Sequence, residues 1–424
     1  MRILLLNYEY PPLGGGGGIA SAALVRDLVE RGHAVDVVTS RATPVGGSTP
    51  GGVLPAVEQP ASMPGLTLYR VDTRRRGIHD CGARGALRYV LAAAPVARRL
   101  LRANRYDLVH VFFSLPTGAL LPMLPLKGTP VVTSLRGSDV PWYNDGEKQG
   151  LELAHQLLRP LTRWIWRRSD RVVALSHALG ELARRTLPTL EFDVVHNGVD
   201  VARFAPPLPD RRFRFEHVRC LAVARLIERK GLRELLDALA LLDDARYSLE
   251  IVGAGPELES LSAHAERLGI ASRVSFSGPL DRDALAERYR AADLFVLAPS
   301  SEAFGNVFAE AMASGLPVIA SNTGGIPEFV RHEEHGLLVP HGDVLALARA
   351  IQMLGDHPDR RARISARNRA VAQAEMTWAT ATDRYLGVYA SVLGDRLPSN
   401  AEVRAPAWSG EPVAAGAVRV ERTR

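Results

Sequence analysis

Short apolar runs alternate along this chain with longer stretches in which apolar residues return every three or four positions. In the first half, RILLLN, AVDVVTS, LTLYRVD, DLVHVFF, PVVTSL and DRVVALS have the length and β-branched character of buried strands. IASAALVRDLVERG, between the first two, has helical period. The pattern lapses in HNGVDVARFAPPLPDRR, where Pro206, Pro207 and Pro209 crowd together, and this reads as a linker over residues 201–212. Alternation then resumes. VRCLAVARL, YSLEIVG, RVSFSG, DLFVLAPS and PVIAS read as strands, and GLRELLDALALL, GPELESLSAHAERLG, RDALAERYRAA and NVFAEAMASG as the helices between them. Strand, helix, strand in repetition predicts mainly parallel sheets with helices on both faces. The lapse divides them into two doubly wound domains of similar size. A further helical pattern, TWATATDRYLGVYASVLG, follows, and the stretch from about Asp395 has no period and reads as a disordered tail.

Composition changes this picture little. The 424 residues suffice for two or three domains, and 46% hydrophobic with 23% charged residues is ordinary for a globular chain. Cys81 and Cys220 are too few and too scattered for a disulfide framework or a zinc site, which favours a reducing compartment. The opening MRILLLNYEYPP stops at proline too soon for a signal sequence, and no apolar run reaches the length of a spanning helix. A cytoplasmic chain is expected, with the inner membrane face as a peripheral contact. The net charge of +6 is carried almost wholly by arginine, a skew that follows genome composition and does not imply a nucleic-acid partner. Lysine stands only at Lys127, Lys148 and Lys230. Ten arginines and two aspartates lie in residues 70–105, and ARGALRYVLAAAPVARRLLRANR leaves two readings. It is a helix packed on the sheet with a solvated arginine face, or a basic amphipathic helix on an anionic membrane.

Ligands of open α/β sheets bind beyond the carboxyl ends of the strands. Glycines 14–18 occupy such a place, after the first strand and before a helix, where close backbone approach and free N–H groups suit a phosphate. RLIERKG likewise follows a strand, and its Arg225 and Lys230 could hold a diphosphate. A lysine kept here in an arginine-rich chain strengthens that reading. LEIVGAGPELE offers Gly253 and Gly255, but Leu258 stands where a dinucleotide fingerprint needs a third glycine, so a strand-to-helix turn is the simpler account. Asp281 and Asp283 in DRD resemble a metal-binding pair, yet a helix follows at once and capping explains both. In SEAFGNVFAEAMASG, Glu302 lies in the turn above a strand and Glu310 one turn into a helix, so both point toward one strand end. The N–H groups of Gly305, Asn306 and Val307 would be free at that helix start. Carboxylates for hydroxyls and donors for phosphate, side by side, fit a nucleotide sugar.

With these residues in place, the chain resembles the family-4 glycosyltransferases, retaining enzymes of the two-Rossmann GT-B fold. The resemblance runs from Met1 to about residue 393 through PPLGGGGG, RGHAVDVVT, SLRGSD, HNGVD, RLIERKG, IVGAGP, the Glu302-x7-Glu310 motif and GLPVIASNTGGIPE. It implies that Glu310 binds the ribose diol and Glu302 the transferred sugar. Arg225 and Lys230 would hold the diphosphate, helped by backbone near Gly15 and Gly16. The remaining donor contacts would fall at Gly253, Phe304, Gly305, Asn306 and Val307. It implies an acceptor-side domain over 1–205, completed by a crossover helix within 376–395, a donor domain over 206–375, and a tail over 396–424. No metal or other cofactor is expected. One departure is Arg136, where many members carry a histidine on the sugar or acceptor side and some relatives carry arginine. His110 is a second acceptor-side candidate, at a strand end facing the cleft, with a core histidine as the alternative.

The expected reaction is transfer of a hexose from a UDP- or GDP-sugar to a hydroxyl, with retention. A glycan or a lipid-linked envelope precursor would supply the hydroxyl. A nucleotide-sugar epimerase on the same fold and a non-catalytic nucleotide-sugar-binding subunit are the rival readings. A nicotinamide dehydrogenase is disfavoured by the broken glycine fingerprint.

Overall fold

A computed structural model describes residues 1–42, 55–75, 82–143, 149–207, 213 and 215–394. The expected tail and part of the expected linker lie outside these residues. The first sheet holds β1 (Arg2–Asn7), β2 (Ala34–Ala42), β3 (Val57–Glu58), β4 (Leu66–Arg75), β5 (Leu108–Phe112), β6 (Val131–Leu135), β7 (Arg171–Ala174) and β8 (Asp193–Val194). Its order is β3-β4-β2-β1-β5-β6-β7-β8, parallel except for the β3–β4 pair. The second sheet holds β9 (Val218–Val223), β10 (Tyr247–Val252), β11 (Val274–Gly278), β12 (Leu294–Leu297), β13 (Val318–Ser321) and β14 (Gly336–Val339). Its order is β11-β10-β9-β12-β13-β14, parallel throughout. Helices cover both faces, so central strands such as β5 and β12 are buried at every residue and read as unbroken apolar runs.

Strand order reverses between β1 and β5 in one sheet and between β9 and β12 in the other. Beyond the carboxyl ends of such pairs the helices diverge and leave a crevice. Two crevices therefore face each other across the domain boundary.

The chain crosses that boundary a second time. Helix Pro358–Glu375 is anchored on the second domain, where Arg369 donates to the Ala313 carbonyl at 2.8 Å. The Val199 N–H donates to the Met376 carbonyl at 2.7 Å, and Thr377 caps the next helix, Trp378–Leu393. That helix lies on the first domain. Tyr385 meets Ser134 at 3.2 Å, Tyr389 meets His110 at 2.7 Å, and Arg31 pairs with Asp383. It is the crossover helix of a GT-B fold.

Candidate functional site

Beyond β9, Arg225 to Ile227 lead into a short 3-10 turn, Glu228–Lys230, ended by Gly231. The turn brings Lys230 Nζ to 2.6 Å from Glu302 Oε2, with only 14% and 12% of the two side chains exposed. Glu302 comes from the loop after β12, so the pair spans the switch point. Burial works against ionisation of Glu302, but Lys230, Arg229 and the Ala303 N–H together hold its carboxyl below the usual range. Arg225 is exposed at the mouth and makes no ion pair among the described residues.

Helix Asn306–Ala313 begins next to that loop. Gly305 caps it at φ +81°, a left-handed conformation that glycine adopts without strain. Among the described residues no acceptor meets the N–H groups of Gly305, Asn306 or Val307, so this helix start presents donors and a partial positive charge. Glu310, one turn on, is buried. Tyr289 donates to its Oε2 at 3.2 Å, and Arg282 lies 3.5 Å from Oε1. Burial pushes Glu310 up to about 7, against the pull of Arg282 and Tyr289.

The two glutamates thus have separate partners. Arg282 is the middle residue of DRD. Asp281 caps its helix by accepting from the N–H groups of Asp283 and Ala284, and Asp283 pairs with Arg203 at 3.0 Å. Both aspartates are occupied structurally, while the arginine between them reaches the site. Attention to the two acids alone misses it.

The first domain meets this surface directly. Arg136 donates to Asn197 Oδ1 at 2.5 Å, and Asn197 Nδ2 donates to Asn306 Oδ1 at 2.8 Å. A side chain on Gly16 would begin 3.1 Å from Asn306 Nδ2, so the glycine loop approaches the donor-side helix. Glu328, in the GGIPE segment, accepts from the N–H groups of His177 and Ala178 at 2.9 Å each and lies 3.1 Å from His196 Nε2. It therefore caps a first-domain helix, His177–Arg184, from the second domain. Tyr143 also crosses, as its hydroxyl accepts from the Ala303 N–H at 3.0 Å. Tyr143 lies outside every motif of the sequence, and although Asn197 and Glu328 stand in HNGVD and GGIPE, neither motif reveals that its residue reaches across a boundary that periodicity does not describe.

Two expectations need correction. His110 does not face the cleft: it is fully buried, bonded to Ser134 Oγ at 2.8 Å and to the Tyr389 hydroxyl. Burial, with Arg136 nearby, lowers it to about 3, so it is a neutral core residue. The Phe304 ring is also withdrawn, being 1% exposed in a stack with His196 and Phe329 at centroid distances of 5.4 and 4.5 Å. Gly253 stays partly exposed and has a packing role as well: a Cβ there would sit 1.8 Å from the Ala224 carbonyl oxygen. The remaining candidates lie on the facing crevices. Gly15 donates to Glu9 Oε2 at 3.3 Å, and Arg136 lies with its guanidinium 5.1 Å from the Phe112 ring centroid.

Known proteins resemble this chain in sequence and fold. Residues 14–203 match the family described as Glycosyltransferase Family 4, and residues 214–371 match Glycosyl transferases group 1. A D-inositol 3-phosphate glycosyltransferase of Streptomyces scabiei is 30% identical over 436 residues, 93% of this chain and 92% of that protein. A GDP-mannose-dependent alpha-(1-6)-phosphatidylinositol monomannoside mannosyltransferase of Mycobacterium tuberculosis is 29% identical over 408 residues, 89% of this chain and 95% of that protein. Among solved structures, a sucrose-phosphate synthase from Thermosynechococcus elongatus superposes with a TM-score of 0.76 at 24% identity, covering 93% of this chain and all of that one. Anabaena HepE, solved with UDP and glucose, superposes with a TM-score of 0.68 at 20% identity, covering 92% of this chain and all of that one.

Proposed function

The chain belongs to glycosyltransferase family 4 and is a glycosyltransferase of nucleotide-sugar type, and from that premise we propose that it moves a hexose from a UDP- or GDP-sugar to a hydroxyl with retention. The observation that carries this reading is the joining of Lys230 and Glu302 across the β9/β12 switch point, beside a helix start with free donors. Glu310 takes the ribose diol, Arg225, Lys230 and the helix start take the diphosphate, and Glu302 takes the sugar. Gly15 and Gly16 approach the phosphates from the first domain. The domains divide the work, with residues 1–205 and the returning helix on the acceptor side and 206–375 on the donor side.

Both carboxylates have other tasks, so neither serves as a nucleophile on the anomeric carbon. In a front-face path the departing phosphate accepts the acceptor's proton as the new glycosidic bond forms and the old one breaks. Lys230, Arg225 and the helix dipole stabilise the charge that builds on the phosphate. No metal enters this reading, in which the acids of DRD serve the helix cap and Arg203.

The acceptor is carried by a glycan or a lipid-linked precursor, met at the cytoplasmic membrane face. Helix Gly82–Ala103 buries Tyr89, Ala93, Ala97 and Leu100, so one side packs on the first domain. On its other side Leu87 and Leu91 are 60% and 62% exposed among arginines, the pattern of a surface that meets anionic lipid. A panel of UDP, GDP, ADP and their hexose derivatives tests the donor by thermal shift, because ligands of the folded state raise Tm. Release of the nucleoside diphosphate only when a hydroxyl acceptor is added tests transfer. Stabilisation by none of the panel would overturn the reading.

A further inference from the structure

Tyr143 makes an unusual pair of contacts. Its hydroxyl accepts from the Ala303 N–H at 3.0 Å and donates toward Glu302 Oε1 at 3.4 Å. Its ring lies under Arg229, with the guanidinium carbon 4.9 Å from the centroid. Lys230 holds the other carboxylate oxygen. One hydroxyl that accepts from a backbone N–H and donates to a carboxylate does what a sugar hydroxyl does in a polar binding site.

The turn that delivers Tyr143 is strained. Trp142 has φ +74°, and a bulky residue in the left-handed region is costly. Its indole Nε1 is buried with no acceptor among the described residues. Such a conformation persists only where surrounding contacts enforce it, and the Tyr143 hydroxyl supplies two.

We propose that the Tyr143 hydroxyl stands in for a hydroxyl of the transferred sugar, making the turn at residues 141–143 a built-in competitor for the donor's sugar subsite. This rests on the reading of Glu302 as the sugar-binding residue. A nucleoside diphosphate alone leaves Tyr143 in place. A nucleotide sugar displaces it, takes over both hydrogen bonds and lets the turn at Trp142 relax. Tyr143 thereby sets how strongly the intact donor is bound relative to its nucleotide product.

Calorimetric titration of UDP-glucose, GDP-mannose, UDP and GDP into wild type, Tyr143→Phe and Tyr143→Ala tests this. Tyr143→Phe keeps the ring over Arg229 and removes only the competing hydroxyl. The nucleotide sugar should bind about 3- to 10-fold more tightly to Tyr143→Phe, the value of one ordinary hydrogen bond, with the matching diphosphate unchanged. Unchanged diphosphate binding also shows that each variant is folded. Equal or weaker nucleotide-sugar binding in both variants would overturn the proposal. Equal tightening of sugar and diphosphate would overturn it too, since Tyr143 would then act on domain closure generally. A parallel Glu302→Gln titration separates the two readings. If that variant loses diphosphate and nucleotide sugar to the same degree, Glu302 is not the sugar residue, and the premise falls whatever Tyr143→Phe shows. If no nucleotide sugar binds any form, both fall together.

Discussion

Lys230 Nζ lies 2.6 Å from Glu302 Oε2, and both side chains are almost enclosed. A cation placed for a diphosphate is thus paired with a carboxylate placed for a sugar. Removing one member of such a pair leaves the other charge buried and alone, which typically costs about 3–5 kcal/mol. Lys230→Ala should therefore lower Tm more than Lys230→Ala combined with Glu302→Gln, as measured by thermal denaturation at pH 7.5. The sign of the pH dependence follows from Glu302, whose folded pKa is depressed. Its stabilising contribution is present above the ordinary carboxylate range and is lost as pH falls through the folded value. In turnover, Lys230→Ala should lose about 10²–10³, as for removal of an oxyanion donor.

The separate partners of the two glutamates separate their variants. Glu310→Gln should weaken binding of the nucleoside diphosphate alone by about 1.5–3 kcal/mol, the range for a charged hydrogen bond. Glu302→Gln should leave that binding nearly intact and depress turnover, because the sugar gains charge only as its bond breaks. Calorimetry paired with initial rates checks both. Equal weakening by the two variants would defeat the division of roles.

Glu310 carries a pH signature of its own. Its folded pKa is raised to about 7, above its unfolded value. Between those values the folded chain holds a proton that the unfolded chain has lost, so this group costs stability as pH rises through that window. Glu310→Gln cannot ionise and should gain Tm relative to wild type on going from pH 5.5 to pH 8. Wild-type affinity for the diphosphate should rise over the same interval, as the diol requires an ionised acceptor, and Glu310→Gln should flatten that rise.

Glu328 joins the domains by capping the helix His177–Arg184. Loss of a cap typically costs about 0.5–2 kcal/mol, so Glu328→Ala should lower Tm. Because the lost contact lies between domains, small-angle scattering should show a larger radius of gyration. An unchanged radius would mean that the remaining contacts suffice to hold the domains together.

Membrane contact through Leu87 and Leu91 should appear as cosedimentation with anionic liposomes that disappears at high salt. Leu87→Ser combined with Leu91→Ser should weaken it while sparing transfer to a soluble acceptor. Absence of binding at low salt in wild type would exclude this contact.

Much of the fold is legible in the sequence because parallel strands covered on both faces read as apolar runs, as RILLLN and DLFVLAPS do. The strands β3 and β8 are not, since two residues carry no period. At the site, motifs mark what lies at one strand end, and so Lys230, Glu302 and Glu310 stand out. Tyr143, Asn197 and Arg282 reach the site from elsewhere in the chain, and only the packing of the domains brings them there. His110 shows the reverse error. A polar residue in a strand points toward a cleft in the sequence, but Tyr389 from the far end of the chain covers it.

That cover ties assembly to translation. Most of the first domain leaves the ribosome early, yet His110, Ser134 and Arg31 complete their contacts only on helix Trp378–Leu393. The second domain must be threaded between. A nascent chain can form the first sheet, but that surface stays unsealed until nearly four hundred residues have been made, so chaperone dwell times should lengthen on chains cut short before Trp378.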